Sequence, residues 1–167
     1  MRFGRAFYII VILICAFEIA RLWNLAPAQM AAHFNVQGIP DRFVSKADFF
    51  WFQIQIMLVV VVVSILPQIL FLILPVNLIN LPHREYWLAS ERRTETVNRL
   101  STFAATMFGI ILLAIQAGFE LSAYANFQTP ILFNAQWMLI VMIISIILIG
   151  LILFQLRVSF RLPSSND

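Results

Sequence analysis

The sequence predicts an all-α, polytopic membrane protein with four transmembrane helices. Two observations favour this fold class: 62% of the 167 residues are apolar while only 11% are charged, and the apolar residues fall into four long runs. A soluble domain has about a quarter of its residues charged, and a surface this poor in charge would not keep a monomer in solution. The composition also excludes a disordered chain, and a single Cys excludes an internal disulfide framework.

Four apolar stretches are long enough to span a bilayer, which takes about 20 residues in a helix. They cover residues 6–24, 49–74, 101–123 and 136–156 of a single domain, residues 1–167. Each is expected to be a helix, because backbone groups in lipid must be hydrogen-bonded within their own segment. Pro67 and Pro75 are expected to bend the second helix or to end it early, since proline removes a backbone donor.

The distribution of positive charge predicts the direction of the chain. Eight of the 11 Lys and Arg residues lie in the N-terminal segment, the loop at 75–100 and the C-terminal tail, whereas Arg21, Arg42 and Lys46 lie in or beside the loop at 25–48. Short cytoplasmic segments are enriched in Lys and Arg. Both termini are therefore expected in the cytoplasm, with a multi-pass chain in the membrane. The tail at 163–167 is expected to be frayed coil.

A cleaved signal peptide is the alternative interpretation of the first apolar stretch. Arg2 and Arg5 precede this stretch, and Ala26-Pro27-Ala28 resembles a small-residue cleavage site. However, Glu18 and Arg21 interrupt the stretch, and its apolar character continues beyond them. A retained helix is the favoured interpretation.

Polar residues of the first three helices are expected in the half of the membrane nearest the loop at 25–48. They are Glu18, Arg21, Gln53, Gln55, Gln116 and Glu120. Glu18 and Arg21 stand three residues apart and share a helix face, so they can form a purely structural ion pair. The other interpretation is a polar cluster between helices that binds a ligand or an ion, because intramembrane charges are often functional. The fourth helix is apolar all round and is expected to face lipid or a partner.

The loop at 25–48 is expected to be structured and to lie outside the cell. Between residues 35 and 41, Gly38 can adopt a positive φ, Pro40 fixes its own φ, and Asp41 can accept hydrogen bonds from nearby amides. Phe34 and Phe43 are expected to anchor the loop on the membrane surface. This composition predicts a defined turn.

A resemblance to a known family starts from this loop. His33-Phe34-Asn35, followed by Gly38-x-Pro40-Asp41 and Lys46, with a Pro six residues before the His, resembles the domain of unknown function at the start of SdpI-type membrane proteins. The resemblance covers the first helix, the loop and the start of the second helix. The best-known member of that family gives its producer immunity to a secreted toxin and takes part in signalling. One departure is Ala26, where the family's pattern has Leu.

The resemblance implies a location in a bacterial plasma (inner) membrane and an outer loop that engages a protein or peptide partner. The residues expected to do so are His33, Phe34, Asn35, Gly38, Pro40 and Asp41. In the alternative interpretation His33 is an interfacial cap and Asp41 only a turn former. No metal is expected, because zinc is bound by three or four protein ligands and the loop supplies at most two suitable side chains. The immunity proteins carry further membrane helices, so the chain is more similar to short relatives and the resemblance does not extend to immunity itself.

The loop at 75–100 is expected to lie in the cytoplasm. Ser90 is the expected N-cap of the third helix, with Glu91 beside it complementing the helix dipole. Three arginines could hold anionic lipid headgroups or could serve only to set the topology; they are Arg92, Arg93 and Arg99. The stretch from Tyr86 to Arg93 also resembles the short relatives.

The expected function is that of a small membrane binding or accessory protein. No catalytic motif is present in the sequence, so neither an enzyme nor a cofactor is expected. Nucleic acid is not an expected partner either, because the net charge of +3 is not gathered into one basic stripe. The expected partners are membrane lipid and another membrane protein or a peptide. The alternative is a structural subunit of a larger membrane complex, docked through the fourth helix.

Overall fold

The computed structural model describes residues 3–162, and 72% of the chain is helical. The elements in chain order are α1 (Phe3–Leu25), β1 (Gln29–Phe34), β2 (Pro40–Ser45), α2 (Lys46–Ile73), a 3-10 turn (Val76–Leu78), α3 (Arg84–Trp87), α4 (Arg93–Ala125) and α5 (Ala135–Ser159). Arg2, which counted towards the predicted topology, and the tail at 163–167 lie outside the described residues.

Four helices, α1, α2, α4 and α5, are long and apolar enough to cross a membrane. The prediction of a mostly helical chain with four helices able to span a membrane is confirmed, whereas the all-α class was incomplete. The strands β1 and β2 form a small antiparallel sheet where only a structured loop was expected. We call the end of the helices that carries this sheet the hairpin end, and the opposite end, which carries residues 76–100, the arginine end.

The two prolines of the second span have different effects. Pro67 lies inside α2 and does not end it, but the helix stops at Ile73 with Leu74 as its C-cap, directly before Pro75. A residue before proline is disfavoured in helical conformation. The early end predicted for this helix is therefore confirmed at Pro75.

Helix α4 is the central element, because α1, α2 and α5 each pack mainly against it. Glycine permits a close approach of α1 and α4: a Cβ atom on Gly109 would lie 2.6 Å from the ring of Phe7. Helix α5 contributes no buried residue at all. The three other helices are thus arranged around α4, and the bundle is not a closed four-helix bundle.

Three clusters of buried residues follow the bundle from end to end. The one at the hairpin end contains Leu22, Met30, Phe49, Phe50 and Ala123. The middle one contains Val11, Cys15, Met57 and Leu112. The one at the arginine end contains Ile79, Trp87, Leu88, Leu100 and Phe160. The hairpin end therefore has an apolar base on which the strands rest.

The connection between α2 and α4 is held by Trp87. Its indole Nε1 donates a hydrogen bond to the carbonyl of Phe160 (3.0 Å), and its own carbonyl accepts one from Thr96 Oγ1 (2.6 Å). The expected N-cap at Ser90 was wrong: α4 begins at Arg93 without a side-chain cap. The Ser90 hydroxyl donates to the carboxylate of Glu91 instead (2.7 Å).

Candidate functional site

The hairpin end is built on an antiparallel ribbon with a defined register. Ala31 lies opposite Phe43 and Met30 opposite Val44, and the Lys46 amide donates to the Ala28 carbonyl (2.9 Å). Hydrogen-bonded and non-hydrogen-bonded pairs alternate along such a ladder. The backbone groups of Ala31 and Phe43 therefore point away from each other, towards the two outer edges of the ribbon.

The tip of the ribbon is a turn organised by Asn35. Its Oδ1 accepts hydrogen bonds from the amides of Gln37 and Ile39, both at 3.0 Å, and Gly38 has a φ of 79°. The predicted turn and the positive φ of Gly38 are confirmed. The side chain that binds the turn amides is Asn35, however, and not Asp41 as expected.

Asp41 instead lies across the ribbon from His33. Its Oδ1 is 2.6 Å from the Nδ1 of His33, and the two side chains are 45% and 66% exposed. An exposed pair of this kind contributes little to stability. Both side chains remain accessible from outside the protein, and neither caps a helix.

The ribbon is docked onto the loop between α4 and α5. Asn126 Oδ1 accepts a hydrogen bond from the Ala31 amide (2.6 Å), and its Nδ2 donates one to the Ala31 carbonyl (3.1 Å). The ring of Phe34 stacks on that of Phe133 with centroids 5.1 Å apart. Phe34 thus has a protein partner, whereas Phe43 is 51% exposed. The anchoring of either ring in the membrane surface stays a prediction.

Gly38 makes a second contact with the same loop. The Phe133 amide donates to the Gly38 carbonyl (2.9 Å), and a Cβ atom on Gly38 would lie only 2.2 Å from the Phe133 carbonyl oxygen. Asn126 and Phe133 were missed by the sequence analysis. Asn126 does have a signal, a polar residue just beyond the third apolar span, but nothing in the sequence distinguishes Phe133.

Lys46 fastens the ribbon to the end of α1. Its ammonium group donates to the Trp23 carbonyl (3.3 Å) and lies 4.9 Å from the centroid of the Trp23 ring. A cation at this position complements the dipole of α1 and satisfies a carbonyl of its last turn. Ser45 caps α2 by accepting from the Asp48 amide (3.1 Å). Lys46, one of the residues on which the family resemblance rests, therefore has a structural role: it holds the base of the ribbon against α1.

The predicted intramembrane cluster separates into two groups of contacts. On α1, the Arg21 Nε donates to Glu18 (2.5 Å). Between α2 and α4, Gln53 Nε2 donates to Gln116 Oε1 (2.9 Å). The Gln116 Nε2 donates in turn to Glu120 (3.0 Å).

Gln53 is the buried end of this amide relay. Its side chain is fully buried, and its Oε1 atom has no hydrogen-bond partner. Gln116 is also buried, whereas Gln55 is exposed and lies outside the relay. The relay joins α2 to the central helix, which fits the structural interpretation of the polar residues. A ligand or ion at the cluster stays a prediction.

The three arginines expected at lipid headgroups all have partners inside the protein. Arg92 lies 4.1 Å from the ring centroid of Tyr86, and Arg93 donates to the Leu74 carbonyl (3.2 Å). Arg99 forms an ion pair with Glu95 at 2.5 Å. These contacts hold the arginine end together. Binding of the three arginines to lipid headgroups stays a prediction.

Nearby, the hydrogen bond from the Ser90 hydroxyl lowers the pKa of Glu91 below its ordinary value, with smaller contributions from the backbone and Arg92.

Within residues 3–162, no group of three or more His, Cys, Asp or Glu side chains converges on a point that could hold a metal.

Comparison with known proteins gives a domain match over the first part of the chain. A family described as Domain of unknown function (DUF1648) matches residues 9–58, and this domain is found in SdpI-like membrane proteins. The matched region contains most of α1, the whole ribbon and the first part of α2. No curated protein and no solved structure matches the chain. The region similar to other proteins is therefore the one that carries the ribbon.

Proposed function

We propose that the chain is a small binding or accessory protein of a bacterial plasma membrane, which engages an extended segment of a protein or peptide along β2. One observation carries this proposal: the outward backbone groups at the two edges of the ribbon differ in their hydrogen bonding. The outward backbone groups of Ala31 are occupied by Asn126. The register directs those of Phe43 to the opposite edge, and outside the strand ladder no hydrogen bond to them is present among the described residues.

An unpaired strand edge is a template for another strand, and proteins commonly use it to bind extended peptides. The whole of β2 is exposed or half-exposed. Apolar side chains surround the edge, with Phe43 51%, Ile39 52% and Val36 90% exposed. The His33–Asp41 pair lies on the same ribbon. Backbone hydrogen bonds would give affinity there, and these side chains would give selectivity.

Rigidity of the ribbon supports the same use. Asn126 and Phe133 hold it to the loop between α4 and α5, and Lys46 holds it to the end of α1. A strand template that is already ordered loses little conformational entropy on binding. The predicted topology, in which positive residues gather at the other end of the helices, presents this ribbon outside the cell.

The experiment uses a photo-crosslinking amino acid at position 36 in the native host, with position 91, which is exposed at the arginine end and lines no cleft, as the control. We expect an adduct of one fixed mass from position 36 alone. Phe43→Pro removes the outward amide of β2 without touching the ladder, because Pro is tolerated at a free edge. Phe43→Ala removes only the ring and keeps the amide.

The two variants at position 43 decide between backbone and side-chain recognition. Loss of one hydrogen bond weakens binding by roughly 2- to 12-fold, so Phe43→Pro should strongly reduce the adduct while Phe43→Ala reduces it less. An adduct that survives Phe43→Pro unchanged would contradict edge binding. No adduct from position 36 in any growth condition would contradict the proposed function as a whole.

A structural subunit of a larger complex is the second candidate, and α5 favours it. None of its 25 residues is buried, and Gly150 has open space around it. Gly150→Trp would block close packing of a partner helix without a clash inside the chain. Purification in mild detergent should return a second subunit at fixed stoichiometry, and this variant should lose it. A chain purified alone would count against this candidate.

A further inference from the structure

A lateral cleft of about 680 Å³ opens at the arginine end. It exists because α2 and α5 both pack against α4 and make no comparable contact with each other. Its wall is largely apolar and contains Phe71, Leu74, Leu100, Leu153, Leu156 and Phe160. In a membrane, a gap of this kind between two apolar helices is open to the hydrocarbon layer.

A second cleft, also of about 680 Å³, adjoins the first. The two share the segment from Leu78 to Leu81 as a common wall. The second cleft is lined by polar groups, with Asn77, Asn80, His83 and Arg84 among them, and one carboxylate, that of Glu85. An apolar space therefore continues directly into a polar one.

A cation without a partner lies in the wall of the apolar cleft. Arg157 is exposed and has no hydrogen bond, ion pair or ring contact among the described residues. In this it differs from Arg92 and Arg99, whose guanidinium groups are engaged. Arg84 donates one hydrogen bond to the Asn77 carbonyl (3.2 Å) and keeps its other donors. The positive groups of the paired clefts thus outnumber their single carboxylate.

We propose that the paired clefts hold one anionic phospholipid. Its acyl chain would lie against Leu153 and Leu156, its phosphate would contact Arg157, and its polar headgroup would reach the side of Asn80 and Arg84. An amphiphile is the occupant that matches an apolar space joined to a polar one, and the surplus of positive groups selects a negative charge. This site is separate from the ribbon and does not depend on the function proposed for it.

The test measures lipid binding to the purified full chain by native mass spectrometry. The probes are phosphatidylglycerol, which is anionic, and phosphatidylethanolamine, which is zwitterionic, with identical acyl chains. We expect one tightly retained phosphatidylglycerol and weaker retention of phosphatidylethanolamine. Arg157→Gln should weaken phosphatidylglycerol binding about fivefold, the effect of one arginine near an anionic surface, and leave phosphatidylethanolamine unchanged. Arg161→Gln is the matched control, since Arg161 is exposed and does not line either cleft.

A steric variant tests the apolar part of the site. Leu153→Trp should fill the cleft and abolish retention of the lipid, while Leu151→Trp, on an exposed position outside the cleft, should not. Equal binding of the two lipids, or equal effects of the two arginine variants, would overturn the proposal. Displacement of the lipid by soluble glycerol phosphate would also overturn it, because it would show that the acyl chain contributes nothing.

Discussion

The side-chain amide of Asn126 occupies both backbone groups of Ala31, accepting from its amide at 2.6 Å and donating to its carbonyl at 3.1 Å. An asparagine in the loop after α4 thereby takes the place of a third strand beside β1. Asn126 Nδ2 also donates to the Ser122 carbonyl (2.9 Å), which fixes its orientation. One side chain thus occupies the outward backbone groups of Ala31 on the β1 edge.

Replacing this asparagine should loosen the ribbon. Asn126→Ala leaves two buried backbone groups without partners, at a cost of about 1–3 kcal/mol for each. We expect faster hydrogen–deuterium exchange across residues 29–45 in detergent, with little change in α1 and α4. Asn24→Ala is the control, because Asn24 is exposed and bonds only to the Ala20 carbonyl of its own helix. Equal exchange in both variants would contradict the role of Asn126.

Gly38→Ala should separate the tip of the ribbon from the loop at 126–134. Gly38 has a φ of 79°, and an added Cβ would lie 2.2 Å from the Phe133 carbonyl oxygen. We expect a lower thermal midpoint and loss of the Phe34–Phe133 stacking, seen as a change in aromatic ring shifts. Gly150→Ala is the matched control: its Cβ meets no atom within 4 Å, and helical Ala is more stable than Gly by about 0.5–1 kcal/mol. A stable Gly38→Ala protein would refute the contact.

The amide relay between Gln53 and Gln116 should show coupled energetics. Either Gln53→Leu or Gln116→Leu alone leaves a buried polar group unpaired, whereas the double variant removes both. We expect a coupling energy of about 0.6–2 kcal/mol, the range for hydrogen bonds between membrane helices, measured by denaturant titration in micelles. Gln55→Leu, an exposed position on the same helix, should be neutral. Purely additive single effects would mean that the two amides do not depend on each other.

The direction of the chain can be tested by cysteine labelling in intact cells. In a Cys15→Ala background, Gln37→Cys on the ribbon should react with a membrane-impermeant maleimide, because that end is predicted to be outside. Glu91→Cys at the arginine end should react only after the cells are opened. Both positions are exposed, so access is decided by the membrane alone. The reverse pattern would invert the topology and remove the proposed outer partner.

The helices were predictable because length and apolar character decide them locally. Bilayer thickness sets a minimum run of apolar residues, and Pro75 marks the end of α2. The extension of α4 beyond the apolar run was also expected, but its N-cap was placed at Ser90 and lies two residues later, at Arg92. The polar first turns of α4 lie against Trp87 and Leu74. That packing could not be derived from composition.

The ribbon was not predicted because its strands depend on distant contacts. Neither the stretch from Gln29 to Phe34 nor the one from Pro40 to Ser45 alternates strongly between polar and apolar residues, and alternation is the usual sign of a strand. β1 is fixed by Asn126, 95 residues away in sequence. The turn itself was predictable, because Gly38 and Pro40 restrict the backbone locally. The partner of Asp41 was not, since it depends on the register of the two strands.

The central place of α4 has a consequence for the order of assembly. During synthesis α1 and α2 leave the ribosome first, yet each packs mainly on a helix that follows them. The ribbon likewise receives its support from Asn126, at the far end of that same helix. The first two helices are therefore expected to remain loosely packed, and the strands between them to lack the contact with Asn126, until α4 has been inserted. We therefore expect the bundle to complete its packing only after α4 has been translated.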